Sequence, residues 1–86
     1  AQFTALVFGT GEAAERSAQA LKASDRALHI VRVQGTSPEG ELATQRYDAQ
    51  PGTVYLLRPD QHVCARWRQP TPLDIRTAID HALARA

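Results

Sequence analysis

The segment that decides the fold is residues 55–68, Tyr55-Leu56-Leu57-Arg58-Pro59-Asp60-Gln61-His62-Val63-Cys64-Ala65-Arg66-Trp67-Arg68. Two runs suited to β-strands, Thr53–Arg58 and Val63–Arg68, flank the dipeptide Pro59-Asp60. Pro and Asp suit the central positions of a type I turn. So short a connection joins only antiparallel neighbours, and the segment therefore predicts a β-hairpin. The predicted turn consists of Arg58, Pro59, Asp60 and Gln61.

The second strand of this hairpin has a two-residue alternation that assigns its side chains to faces. Val63, Ala65 and Trp67 are predicted to share one face of the sheet. The other face receives Cys64, Arg66 and Arg68, whose polar groups suit an exposed edge strand.

Upstream of the hairpin, the first 33 residues predict a strand–helix–strand unit. Phe3–Phe8 is a short apolar run that favours a buried strand. Glu12–Ala23 has helical periodicity, with acidic residues in its first turn and a lysine in its last. Ala27–Val33 alternates as a second strand. Such a unit within one sheet implies parallel pairing and a right-handed crossover.

Two further helix starts complete the pattern. Ser37-Pro38 predicts an N-cap followed by proline at the first helical position, opening a short helix that includes Leu42, Ala43, Arg46 and Tyr47. Thr71-Pro72 predicts the same arrangement for the last helix, and Asp74 completes a capping box there.

The element order β-α-β-(α)-β-β-α indicates an α/β, thioredoxin-like domain with a mixed four-stranded sheet and helices on both faces. With 86 residues, the chain is long enough for a single domain, residues 1–86. A domain of this size has little room for a deep cofactor pocket beside its core. We therefore expect no cofactor to bind within this domain.

The composition argues against several partners. Ten basic and nine acidic residues give a net charge of +1, which does not fit the clustered positive charge of a nucleic-acid-binding protein. No apolar run reaches the roughly 18 residues of a membrane span. No signal peptide is visible, and we expect a cytoplasmic protein. The chain has no methionine, so we expect a processed product or a fragment of a larger protein.

The first strand-to-helix junction contains Gly9-Thr10-Gly11-Glu12-Ala13-Ala14, which fits the dinucleotide motif G-x-G-x-x-A. Glu12 places negative charge where a pyrophosphate would lie, and no acidic residue follows Val33 to bind a ribose. A structural turn is therefore the favoured interpretation. Thioredoxin-like oxidoreductases carry a CxxC pair at this junction, which a chain with one cysteine cannot form.

No catalytic or metal-binding constellation is apparent. Cys64 and His62 lie two residues apart and could touch, and Arg66 and Arg68 could favour a thiolate. The favoured interpretation of Cys64 is a small, partly packed side chain. The three histidines lack metal-ligand spacing with one another or with acidic residues. Trp67 could belong to the core or to a protein interface. The candidate interface comprises Tyr55, Arg66, Trp67 and Arg68.

The segment Leu57–Arg68 resembles the C-terminal domain of FAD-dependent aromatic-ring hydroxylases of the phenol hydroxylase type. This group includes the hydroxyphenylpropionate and polyketide hydroxylases. Its members have an Arg-Pro-Asp-Gly turn, a strand ending in Trp-Arg and a final helix. Residues Leu42–Ala49 resemble a Leu-Ala-x-x-Tyr segment of the group, and the final residues 72–86 resemble its closing helix. One departure is Gln61, where the group favours glycine.

The resemblance implies a non-catalytic structural or dimerisation domain of a monooxygenase that uses FAD and NAD(P)H. The flavin-binding and substrate domains would precede this domain in the parent chain and would be its partners, together with a second copy. No flavin-binding or catalytic residue is carried over to the 86 residues. The alternative is a free-standing, redox-inactive thioredoxin-like module that binds other proteins.

Overall fold

Four strands and two helices form the part of the chain that the computed structural model describes, residues 2–33 and 50–84. The strands are β1 (Phe3–Phe8), β2 (Leu28–Val33), β3 (Val54–Leu57) and β4 (Val63–Trp67). The helices are α1 (Glu12–Ala23) and α2 (Pro72–Ala84). The helix predicted after Ser37 lies outside the described residues.

The sheet has the strand order β2-β1-β3-β4. β1 pairs with β2 in parallel, and β3 pairs antiparallel with both β1 and β4. The parallel β1–α1–β2 unit and the antiparallel β3–β4–α2 unit confirm the predicted α/β, thioredoxin-like class.

One face of the sheet holds the main hydrophobic core. Alternate residues of β1, namely Phe3, Ala5 and Val7, are buried against the two helices. Helix α1 contributes Leu21, and α2 contributes Ile75 and Ile79. Both described helices pack on this one face. The prediction that helices cover both faces therefore has no counterpart on the other face among residues 2–33 and 50–84. On that other face the buried rings of Phe8 and Tyr55 meet edge to face, with centroids 5.7 Å apart.

The β3–β4 connection is a tight turn with a left-handed residue at its end. The Gln61 N–H donates to the Arg58 carbonyl at 2.8 Å, and the Arg58 N–H donates to the His62 carbonyl at 2.8 Å. Gln61 has a φ of 73°. This is the type I turn followed by a left-handed residue that is common in three-residue hairpin loops.

A β-bulge in β4 changes the predicted faces of that strand. Leu57 pairs with Val63, whereas Leu56 pairs with Ala65, so Cys64 is the extra residue. An extra residue interrupts the two-residue alternation. Ala65 and Trp67 pack against the core as predicted, but Val63 is 48% exposed. The prediction that Val63 shares their face was therefore wrong.

The capping box predicted for the last helix is present at the start of α2. The Asp74 N–H donates to the Thr71 hydroxyl at 3.2 Å, and the Thr71 N–H donates to the Asp74 carboxylate at 2.9 Å. These reciprocal bonds satisfy backbone donors that have no partner within the helix. They fix where the chain leaves the sheet and begins α2.

Candidate functional site

Thioredoxin-like enzymes carry their reactive sulfur at the β1–α1 junction. In this protein, hydrogen bonds and close packing connect that junction to the turn before β3. The Gly52 N–H donates to the Phe8 carbonyl at 2.8 Å. The buried Ser17 hydroxyl of α1 donates to the Gly52 carbonyl at 2.6 Å. A Cβ atom on Gly9 would lie only 2.6 Å from Pro51 Cα. The glycine at position 9 is therefore required by close packing between two turns.

The charge at this junction does not favour a bound dinucleotide. In the dinucleotide motif, the first glycine makes the tight turn and the second allows the pyrophosphate to approach the backbone. Here a Cβ atom on the first, Gly9, would meet Pro51, whereas no atom lies within 4 Å of a Cβ atom on the second, Gly11. Glu12 and Glu15 add negative charge to the first turn of α1, where a pyrophosphate would need positive potential. These two carboxylates therefore disfavour the pyrophosphate of the FAD or NAD(P)H that the resemblance implies for a parent enzyme.

A second site is a groove of about 290 Å³ between the hairpin and α2. Its walls carry three groups with functional chemistry, His62 and Cys64 from the hairpin and His81 from the helix. The remaining lining residues are Arg58, Val63, Ala78 and Ala82. His62 and Cys64 thus line one groove. His81 was not foreseen beside them, because only the tertiary packing of α2 brings it there.

The charges of the hairpin turn that contributes Arg58 and His62 to this groove are arranged around Asp60. The Asp60 carboxylate accepts a hydrogen bond from the His62 N–H at 3.1 Å and pairs with Arg58 at 2.9 Å. The backbone hydrogen bond from His62 lowers the pKa of Asp60 most, and the charge of Arg58 lowers it further. The Arg58 guanidinium and the Asp60 carboxylate therefore balance each other within the turn.

The environment of Cys64 does not favour a thiolate. Desolvation raises the pKa of the Cys64 thiol above its ordinary value, and the charge of Arg58 offsets this only in part. Neither Arg66 nor Arg68 is among the groups that shift the Cys64 pKa. Because a raised pKa keeps the thiol protonated at neutral pH, the structure weakens the case for a Cys64 nucleophile.

The four residues of the candidate interface are divided between the two faces of the sheet. Tyr55 is buried, and the guanidinium of Arg66 lies 5.4 Å from the centroid of its ring. Trp67 is half-buried on the helix-covered face, where it packs against the core. Arg68 is exposed just after β4 ends. The indole of Trp67 and the guanidinium of Arg66 therefore do not form one continuous patch.

Two features are lacking in residues 2–33 and 50–84. No group of three or more His, Cys, Asp or Glu side chains in this part of the chain could hold a metal ion. No helix in it is both long and apolar enough to cross a membrane.

Comparison with known proteins gives similarity at the level of fold. No family model matches the sequence, and no curated protein matches it. A solved structure described as that of a malarial protein superposes with a TM-score of 0.70 and 16% identity, covering 96% of this chain and 99% of the other. The flavin-dependent monooxygenase PieE, solved with FAD and substrate, superposes with a TM-score of 0.58 and 20% identity.

The two matches differ in how much of the other protein they include. The PieE match covers 99% of this chain but only 16% of the PieE chain. The malarial protein, in contrast, is matched over nearly its whole length. The same fold therefore occurs both as a small part of a flavin-dependent monooxygenase and as almost an entire chain.

Proposed function

We propose that residues 1–86 are a non-catalytic C-terminal domain of an FAD- and NAD(P)H-dependent aromatic-ring hydroxylase, with a structural or dimerisation role. The observation that carries this proposal is the superposition of 99% of the chain on a 16% portion of a flavin-dependent monooxygenase. The hairpin sequence Leu57–Arg68, which resembles the C-terminal domains of such hydroxylases, supports it independently.

The chemistry of the described residues supports a structural role. The β1–α1 junction is packed against Pro51, and the Cys64 thiol has a raised pKa. In this proposal the flavin and the aromatic substrate bind to preceding domains, and the 86 residues stabilise those domains or the contact between two subunits.

The experiment begins with the gene sequence upstream of the Ala1 codon. An open reading frame that continues into a flavin-binding domain is expected. The full-length product should then be compared with a version that ends before Ala1, by flavin content, NAD(P)H oxidation with a phenolic substrate, and sedimentation. We expect the truncated enzyme to retain its flavin-binding residues but to lose thermal stability or subunit association. Stoichiometric FAD binding by residues 1–86 alone would contradict the non-catalytic role.

A second candidate function is a free-standing, redox-inactive thioredoxin-like module that binds other proteins. The match to nearly the whole length of the malarial protein supports it, because that chain has this fold and little else. A start codon directly before Ala1, with no flavin-binding domain in the same reading frame, would favour this function over the hydroxylase domain.

A further inference from the structure

An apolar surface lies at the end of α2 and the start of β1, where Leu83 and Pro59 are exposed beside the buried side chains of Phe3 and Ile79. Leu83 is 57% exposed although it lies next to core residues of both elements. Two grooves, of about 230 and 290 Å³, meet at Leu83 and Phe3. We call this the Leu83 surface, defined by Phe3, Pro59, Ile79, Ala82 and Leu83.

Among the described residues, the charged groups that line the two grooves of the Leu83 surface each have a partner of opposite charge. Arg26 forms two hydrogen bonds with the Asp80 carboxylate, at 2.9 and 2.8 Å. Arg58 pairs with Asp60 on the opposite side. An apolar centre inside a charge-balanced rim is typical of a contact between proteins. It does not fit nucleic acid or an anionic membrane, which would require excess positive charge.

The path of the chain indicates what covers this surface. Gln2 lines the groove beside Phe3 and Leu83, so the chain enters β1 along the Leu83 surface. Any domain joined before Ala1 therefore emerges at this place and is held near it at high effective concentration. In the PieE superposition, 84% of that chain lies outside the matched portion, since the match covers 16%.

We propose that the Leu83 surface is the face on which this domain docks against the flavin-binding and substrate domains of its own chain. This inference rests on the proposed function and adds to it the surface that makes the contact. The occupant is an apolar patch of the preceding domains, with Leu83 inserted at its centre.

The chain contains a matched control for testing this contact. Leu73 is also a leucine of α2 and is 63% exposed, but it lines none of the grooves at the Leu83 surface. Substitution by glutamine at either position preserves helix propensity and adds no charge that would interact with the helix dipole. In the 86-residue chain, Leu83→Gln and Leu73→Gln should leave the circular dichroism spectrum unchanged and shift the melting temperature by similar amounts.

The deciding measurement uses the full-length gene product. The measurement is limited proteolysis, at a protease concentration at which the cleavage rate reports the undocked population. We expect the domain to be released about ten-fold faster from Leu83→Gln than from wild type, because docking then no longer buries a leucine. Leu73→Gln should remain within about two-fold of wild type by the same argument. Equal release from the two variants would overturn the docking surface while leaving the hydroxylase proposal intact.

Two other outcomes would also overturn the inference and can be told apart. A gene that encodes no flavin-binding domain removes the proposed function and the docking surface together. Sedimentation of the 86-residue chain as a dimer that Leu83→Gln dissociates, and Leu73→Gln does not, would assign the surface to a second copy instead.

Discussion

Gln61 has a backbone conformation that ordinary residues rarely adopt. Its φ of 73° lies in the left-handed region, which costs a residue with a Cβ atom about 1–2 kcal/mol relative to glycine. Glycine would recover this energy but lose about 0.4–1 kcal/mol through greater freedom of the unfolded chain. We therefore expect Gln61→Gly to stabilise the domain by about 0.5–1 kcal/mol, raising the melting temperature by roughly 2–8 °C in thermal unfolding.

Two controls separate backbone strain from other effects of this substitution. Gln61→Ala keeps the Cβ atom and should leave the melting temperature nearly unchanged. Asp25 has a φ of 59°, but aspartate tolerates this region better, so Asp25→Gly should stabilise less than Gln61→Gly. A melting temperature for Gln61→Gly at or below that of wild type would argue against strain at position 61.

Position 61 was predictable because the turn is a local structure, whereas the environment of Cys64 was not. Pro59 and Asp60 specify the turn type, and the turn type requires a left-handed residue next. The pKa of Cys64 depends instead on desolvation in a groove whose other wall is α2. Residues close in sequence, such as Arg66, therefore do not indicate how strongly the Cys64 thiol is desolvated.

At the scale of elements, the start of α2 allows a direct test of how local sequence fixes a helix end. The Thr71 hydroxyl accepts the Asp74 N–H at the N-cap. We expect Thr71→Ala to lower the free energy of unfolding by about 1 kcal/mol. For a domain of this size the melting temperature should fall by about 4–8 °C.

Thr77 provides the matched control for this prediction. It is exposed in the interior of the same helix and lies away from the N-cap. Because alanine has the higher helix propensity, Thr77→Ala should be neutral or stabilise by a few tenths of a kcal/mol, about 0.3. If the two variants unfolded at the same temperature, the capping box would contribute nothing measurable to stability.

The elements that sequence predicted well are those determined by nearby residues. The bounds of α1 agree with the predicted Glu12–Ala23, and the capping box of α2 is present as expected. The bulge at Cys64 was missed because alternation along β4 contains no signal for it. A bulge is defined by pairing with Leu56 and Leu57 on another strand, so a single strand cannot reveal it.

For the whole molecule, the parallel and antiparallel halves of the sheet followed from element order and connection length. Contacts between distant segments did not. The pair of Arg26 and Asp80 joins the loop before β2 to α2 across 54 positions of sequence. Periodicity identifies both residues only as polar surface positions, so nothing local indicates that they meet.

This long-range pair makes stability depend on pH in a direction that can be stated. The hydrogen bond from Arg26 is the main reason that the pKa of Asp80 is lowered in the folded state. A carboxylate with a lowered folded pKa stabilises the fold above its unfolded pKa, about 3.9, and the contribution disappears as pH falls through the folded value. We expect Asp80→Asn to lower the melting temperature at pH 7 and to approach wild type as the pH falls below the unfolded pKa of about 3.9.

Arg26→Gln removes the other partner of the ion pair. Its melting temperature should also lie below that of wild type at pH 7 and approach it as the pH falls. High salt should reduce the difference in melting temperature between wild type and either variant at pH 7, because both side chains are partly exposed and salt screens their charges. Thermal unfolding measured from pH 2 to 7 for wild type and both variants is sufficient. A gap of constant size across this range would mean that the substitutions act through packing, since only the ionised carboxylate can form the ion pair with Arg26.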